Sequence, residues 1–215
     1  MAVSITWLGH DSFKVKDSCT IYVDPWKLPA GQEPADIVLV THEHFDHFSK
    51  EDIQKIRKAD TIVVSTEAVA KDAGGETKAV KPGDTIEVKG ITIRAVAAYN
   101  TNKFRQPGVA FHPKQDNKLG FVLTTDGHTI YHAGDTDVIP EMDDIRPDVA
   151  LLPVSGTYVM TADEALEAVK KINPKIVIPM HWGDIVGSEQ DAQKLKRESP
   201  VPVEVLHPGS TFELK

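Results

Sequence analysis

The segment Thr41-His42-Glu43-His44-Phe45-Asp46-His47 places three histidines and an aspartate within six residues. It follows an apolar run at 37–40 and precedes a helix-start signal at Ser49. In extended backbone alternate side chains share a face, so His42 and His44 can converge on one point. Asp46 and His47 fall where the chain turns toward the helix and can face a second point a few ångströms away. Imidazole nitrogens and a carboxylate are the donors that suit zinc, manganese or iron. A histidine-rich solvated loop is the plainer alternative, but four such groups at this spacing, at the end of a strand, favour metal binding.

The elements that must position these groups can be read along the chain. Residues 3–8 read as a strand running into Gly9-His10, and 12–15 with 20–23 as a hairpin ending in Asp24-Pro25. The proline stops the ladder and leaves Asp24 at a strand end. After the motif, Ser49-Lys50-Glu51-Asp52 resembles a capping box, and Gly74-Gly75 closes a second short helix at 66–73. A hairpin is expected around Lys89-Gly90 and another around Asp126-Gly127. The second one leads into Ala133-Gly134-Asp135-Thr136. Thr161 with Glu164 opens a helix whose stripe is Leu166, Val169 and Ile172. Residues 176–179 are a buried strand delivering His181-Trp182-Gly183, followed by a last helix at 189–197 and two short strands around Pro208-Gly209.

The segment 99–118 has no periodicity and holds Pro107, Gly108 and Pro113, so it reads as a long loop, a type that is usually functional. Two mostly antiparallel sets of strands with interleaved helices point to a layered α/β arrangement. Asp24, His42, Asp135 and His181 each follow an apolar strand, so one rim could gather all four.

Composition sets bounds. A chain of 215 residues, 40% hydrophobic and 26% charged, suits one globular domain spanning 1–215. A formal charge of −8 argues against a general nucleic-acid grip. Cys19 is the one cysteine and reads as a small buried apolar residue. Residues 1–7 carry no basic segment followed by an apolar run, and no stretch has membrane-spanning length. The expected compartment is the cytoplasm, with no membrane or nucleic-acid partner, a small-molecule substrate, and homo-oligomerisation left open.

Together Asp24, His42-x-His44-x-Asp46-His47, Gly134-Asp135-Thr136 and His181 resemble the pattern of metallo-β-lactamase-fold hydrolases over nearly the full chain. Trp7-Leu8-Gly9-His10, residues 131–136 and Pro179-Met180-His181-Trp182-Gly183 look like the branch of small metal-dependent hydrolases that includes ascorbate-6-phosphate lactonases and N-acyl-phosphatidylethanolamine-type phosphodiesterases. The resemblance implies an α/β fold, a four-layer αββα sandwich of two mixed sheets with outer helices. It also implies two divalent ions, zinc first, with manganese or iron as alternatives. His42 and His44 would hold the first ion, Asp46, His47 and His181 the second, and Asp135 would bridge them.

The sequence departs from that pattern at the first ion's third ligand, where Tyr99-Asn100 stands in place of a histidine. His112 is the expected substitute, with Asn100 as a weak oxygen ligand, or no third protein ligand, left open. Metal-bound water has its pKa lowered to about 7, which supplies a nucleophile without a serine or cysteine. The chain has no Gly-x-Ser-x-Gly, and Cys19 has no placed base. Asp46, Asp135 and His10 are the expected catalytic groups. Asp24 and His132 are expected behind the ligands, holding a histidine N–H or packing. Tyr99, Asn100, Arg105 and Tyr158 are candidates for substrate contact, the tyrosines as proton donors. Lys103, Lys114 and Lys118 read as solvated loop charges or as anchors for a substrate anion.

The function so implied is hydrolysis of an ester, lactone or phosphodiester in a small anionic substrate. A non-catalytic metal- or ligand-binding protein and a di-iron oxidoreductase on the same scaffold are the alternatives.

Overall fold

The computed structural model describes residues 3–214; Met1, Ala2 and Lys215, the ends of the expected domain, lie outside the described residues. The chain begins with strands β1 (Val3–Gly9), β2 (Ser12–Lys16) and β3 (Thr20–Val23), paired antiparallel as a meander. From there it changes character. β4 (Ile37–Leu39), β5 (Ile62–Ser65) and β6 (Glu76–Ala79) add in parallel, with α1 (Lys50–Ile56) and α2 (Glu67–Ala73) as the crossovers. Parallel neighbours need such crossovers, which is why the sheet is mixed rather than mostly antiparallel.

The second sheet starts with β7 (Thr85–Val88) and β8 (Ile91–Ala97), then passes through a small hairpin, β9 (Phe104–Gln106) and β10 (Val109–Ala110). It continues with β11 (Leu119–Thr125), β12 (His128–His132), β13 (Val149–Pro153) and β14 (Ile176–Met180). The last three run parallel, and α3 (Ala162–Ile172) crosses from β13 to β14. After α4 (Glu189–Glu198), β15 (Thr211–Leu214) returns to the first sheet and pairs with β1. The strand orders are β15-β1-β2-β3-β4-β5-β6 and β14-β13-β12-β11-β8-β7.

Alternation along the strands assigns the layers. Ile21, Val23, Ile37, Leu39 and Val64 join the core cluster shared with the second sheet. Tyr22, Val38 and Val63, one residue out of phase, pack instead with Ile53 and Ile56 of α1 and Val69 of α2. Each fully buried isoleucine contributes about 1.5–3 kcal/mol, so α1 is held by its burial face more than by its seven-residue length. On the other side α3 and α4 pack against β13 and β14. The result is the expected four-layer αββα sandwich.

Local signals hold with instructive exceptions. At Thr161 the reciprocal capping box forms with Glu164. At Ser49 only half forms: Ser49 accepts from the Asp52 amide, while the Asp52 carboxylate accepts from Lys27 N and Leu28 N and ties the loop after β3 to α1. The expected pair of strands around Pro208-Gly209 reduces to β15 and one isolated bridge, Val177 to Val203. Cys19 is half-buried, packed against the core edge with its thiol toward the Lys89 carbonyl.

The segment 99–118 is not structureless. It is an arm that prolongs the β8–β11 hairpin: Ala98 N donates to Lys118 O, Asn100 N to His112 O, and Phe111 N to Lys103 O. Prolines and glycines break its side-chain periodicity, but cross-strand bonds organise it.

Candidate metal centre

The ends of β1, β3, β4, β12 and β14 meet at one rim, and several of them end in unusual backbone. His10, Asp24 and His181 all have positive φ (51°, 45° and 59°). Left-handed backbone at non-glycine residues costs of order 1–3 kcal/mol and persists only where surroundings over-determine it. Here it turns the strand ends inward, and the His181 amide donates to the His10 carbonyl at 3.0 Å. Gly134 has φ 63°, and a Cβ there would lie 2.4 Å from the Leu119 carbonyl oxygen, so only glycine lets Asp135 approach.

A first group converges from both sheets. His42 Nε2 and His44 Nδ1 are 3.0 Å apart, and His112 Nε2 is 3.3 Å from His44 Nδ1. Asp135 Oδ2 is 3.4 Å from His112 Nε2 and 3.9 Å from His42 Nε2. These four ligand atoms all lie within 4.8 Å of one another. A tetrahedral zinc with bonds of about 2.0–2.2 Å spaces its donors about 3.3–3.6 Å apart, so the set fits.

Beside it, His47 Nε2 and His181 Nε2 lie 3.3 and 3.5 Å from Asp135 Oδ1. Asp11 Oδ2 is 3.5 Å from His47 Nε2 and 3.7 Å from His181 Nε2. Asp46 Oδ2 is 3.8 Å from His47 Nε2 and accepts from His10 Nε2 at 3.1 Å. The convergent groups are therefore Asp11, His47, Asp135 and His181, and His10, Asp46, His47 and His181; neither holds Asp46 and Asp135 together. His47 Nε2, His181 Nε2, Asp135 Oδ1 and both Asp11 oxygens are buried without a hydrogen-bond partner. Orphaned polar atoms aimed at one point are what a cation site requires.

The outer nitrogens of His42, His47, His112 and His181 are engaged, which fixes those rings. His47 Nδ1–H donates to Asp24 Oδ2 at 2.8 Å. Thr41 donates to both Asp24 oxygens, through its amide and its hydroxyl, and that hydroxyl accepts from His42 Nδ1–H at 3.0 Å. Asn100 Oδ1 accepts from His112 Nδ1–H and from the His112 amide, both at 2.9 Å. His181 Nδ1 pairs with Ser155 Oγ at 2.9 Å. In each case the donor assignment leaves a lone pair facing the centre.

Electrostatics divides the two groups. Burial pushes His42 well below the usual histidine value, with His47 adding to the effect. Burial also lowers His44, and takes His112 to about 4. Burial acts the same way on His47, but Asp135 and Asp24 outweigh it and hold that ring well above the usual value. At His181 burial is outweighed by Asp11 and Asp135, which lift it to about 9. Burial raises Asp11 despite His181, His10 and His47; at Asp135 burial is overcome by His47 and His181, which hold it well below the carboxylate range. A cation held by the second group would have to displace the protons that His47 and His181 otherwise retain.

Other expected residues divide. Asn100 does not face the centre as an oxygen ligand; its Oδ1 supports His112 and its amide group donates to Asp137 and the Tyr158 carbonyl. Tyr99 is turned away, its hydroxyl donating to Glu141 with the Lys114 ammonium over its ring. Tyr158 stacks on Phe111, with centroids 4.0 Å apart, and Phe111 lies edge-on to His112 and His44. Arg105 donates to the Ala110 and Phe111 carbonyls. The loop lysines are all paired, Lys103 with Glu164 and Asp137, Lys114 with Glu141, and Lys118 with Glu43 of the histidine motif; Lys118 is only 2% exposed, while Lys114 stays in solvent. His132 Nε2–H donates to the Asp11 carbonyl, steadying the turn after β1. Trp182 packs on Trp7.

Sequence reasoning passes over Asp11, Asp137 and Ser155. Asp11 had a signal, an acid next to His10 at a strand end. Asp137, whose carboxylate accepts from the Thr101 and Asn102 amides and clamps the arm, had none beyond its closeness to Asp135.

Comparison with known proteins agrees with this architecture. The β-lactamase superfamily domain family matches residues 4–181. A UPF0173 metal-dependent hydrolase of Methanoculleus marisnigri is 35% identical over 220 residues, covering 98% of this chain and 96% of its own. Among solved structures, a candidate metal-dependent hydrolase from Parabacteroides distasonis superposes with TM-score 0.81 at 36% identity, covering 94% and 92% of the two chains. A metallo hydrolase from Ignicoccus hospitalis gives TM-score 0.80 at 27% identity, covering 100% and 99%. The chain thus belongs to the β-lactamase superfamily domain family and, within it, to the UPF0173 metal-dependent hydrolases.

Proposed function

We propose that this hydrolase holds two divalent ions where its sheets meet and cleaves an ester, lactone or phosphodiester bond in a small anionic substrate. The observation that carries the reading is the pair of convergent donor groups sharing Asp135, one oxygen toward each. Two bound ions supply an activated water at neutral pH and a Lewis acid for the polarised oxygen. The chain's own groups do the rest. His42, His44 and His112 present neutral nitrogens to the first ion, with Asp24, Thr41 and Asn100 holding ring orientation. His47, His181 and Asp46 serve the second. His10, bonded to Asp46, orients that carboxylate toward the reacting water.

The rim supports the substrate class. Phe111 and Tyr158 form an apolar wall beside the first group, and Phe45, inside the histidine motif, is 68% exposed. Arg105 sits against Phe111 and engages backbone carbonyls, which leaves its charge for an anionic group. The chain acts as one such domain, zinc is the first choice of metal, and the cytoplasm is the proposed compartment. No helix among the described residues is long and apolar enough to cross a membrane.

The test is metal analysis of the purified protein, then a screen over lactones, thioesters and phosphodiesters with and without chelator. Two ions per chain and chelator-sensitive turnover support the reading. Protein refilled with zinc, manganese or iron that turns over none of these substrates refutes it in favour of a binding protein.

A further inference from the structure

Asp11 is the one carboxylate at the rim that nothing above has placed in a role. It is fully buried, and neither oxygen has a hydrogen-bond partner. A carboxylate removed from water without hydrogen bonds is among the costliest groups a protein can bury, and it persists where a cation compensates it. Its surroundings point to that cation. Asp11 Oδ2, His47 Nε2, His181 Nε2 and Asp135 Oδ1 are all orphaned, and all lie within one 4.8 Å group. The separations of 3.3–3.7 Å among them match donors around one ion. The Asp11 backbone is fixed independently, by the His132 ring on its carbonyl and the left-handed turn at His10.

We propose that Asp11 is a direct ligand of the second ion. This rests on the two-ion reading above and adds a member to it. With Asp11 counted, the second ion would have two nitrogens and two carboxylates, against three nitrogens and one carboxylate at the first. A shell richer in carboxylate suits manganese or iron(II), while a nitrogen-rich shell suits zinc. The two positions are therefore chemically unequal, and the second is the one that takes the harder ion.

The test is metal loading of wild type, Asp11→Asn and Asp11→Ala from equimolar zinc and manganese. Metals per chain are measured, together with the manganese electron paramagnetic resonance signal and the metal-dependent rise in Tm. The expected result is two ions in wild type, with manganese concentrated in one position. Each variant should keep the first ion, lose manganese affinity at least tenfold, and show a smaller metal-dependent rise in Tm. Circular dichroism establishes that the variants fold. Variants that load the second ion as wild type does overturn the role of Asp11; wild type with two equivalent zinc positions and no manganese overturns the inequality of the two positions. Wild type that binds no metal at all refutes instead the two-ion reading itself.

Discussion

Replacing Asp24 by Asn should weaken both metal positions at once, although Asp24 faces neither. Three donors converge on its carboxylate: the Thr41 amide on one oxygen, and the Thr41 hydroxyl with His47 Nδ1–H on the other, at 2.7–2.8 Å. An amide is isosteric but can accept at only one end. Turned one way it sets its NH2 against the Thr41 amide; turned the other way it faces two donors. Each buried donor left unpaired costs about 1–3 kcal/mol. The negative charge that makes His47 a better ligand is lost in either case. Removing such a supporting partner typically costs 10–100-fold in metal affinity, about 1.4–2.8 kcal/mol. Because the Thr41 hydroxyl also accepts from His42 Nδ1–H, the loss reaches the first ion. Competition against a chelator of known affinity, read as metal per chain, measures both losses, and a urea melt measures stability. Asp24→Asn with unaltered affinity and stability would refute the proposed relay.

His112→Ala should remove one ion per chain by elemental analysis while leaving the second; unchanged stoichiometry would mean that His112 is not a ligand. Gly134→Ala should destabilise by at least about 2 kcal/mol in a denaturant melt, since a left-handed alanine is strained and its Cβ would meet the Leu119 carbonyl. A wild-type midpoint would show that the close approach is not needed. Glu164 has its pKa lowered to about 2, burial opposing and Lys103 with the Thr161 amide prevailing. Folding thus lowers its proton affinity, so its contribution is full above about pH 4.5 and is lost as pH falls through about 2. Discounted for solvent screening, it amounts to about 1 kcal/mol, and the stability gap between wild type and Glu164→Gln should close across that window. A gap that is constant with pH would exclude the ion pair as its source.

Much of this centre was legible because local chemistry encodes it. His42, His44, Asp46 and His47 are adjacent in sequence, and Asp135 and His181 follow apolar strands that must end at a rim. The parallel halves of the sheets were harder to read, because a three-residue strand such as β4 has too few positions to show its partners' direction. The arm was illegible for a different reason. His112 reaches the centre through backbone bonds to Asn100 across an irregular hairpin, and such pairing leaves no side-chain period. Asp11 was overlooked because its meaning depends on burial: an aspartate after a strand is ordinarily a turn residue in water.

The donors come from both sheets. His42, His44, Asp46, His47 and Asp11 extend from the first, and His112, Asp135 and His181 from the second. Each ion would therefore act as a staple across the sandwich as well as a reagent. A ligand at 100 times its Kd stabilises the folded state by about 2.7 kcal/mol, so two ions could account for much of the marginal stability of a domain this size. Cellular metal supply would then govern the protein's lifetime along with its activity. Starvation for metal would loosen the seam between the sheets and expose the chain to proteolysis before any substrate was encountered.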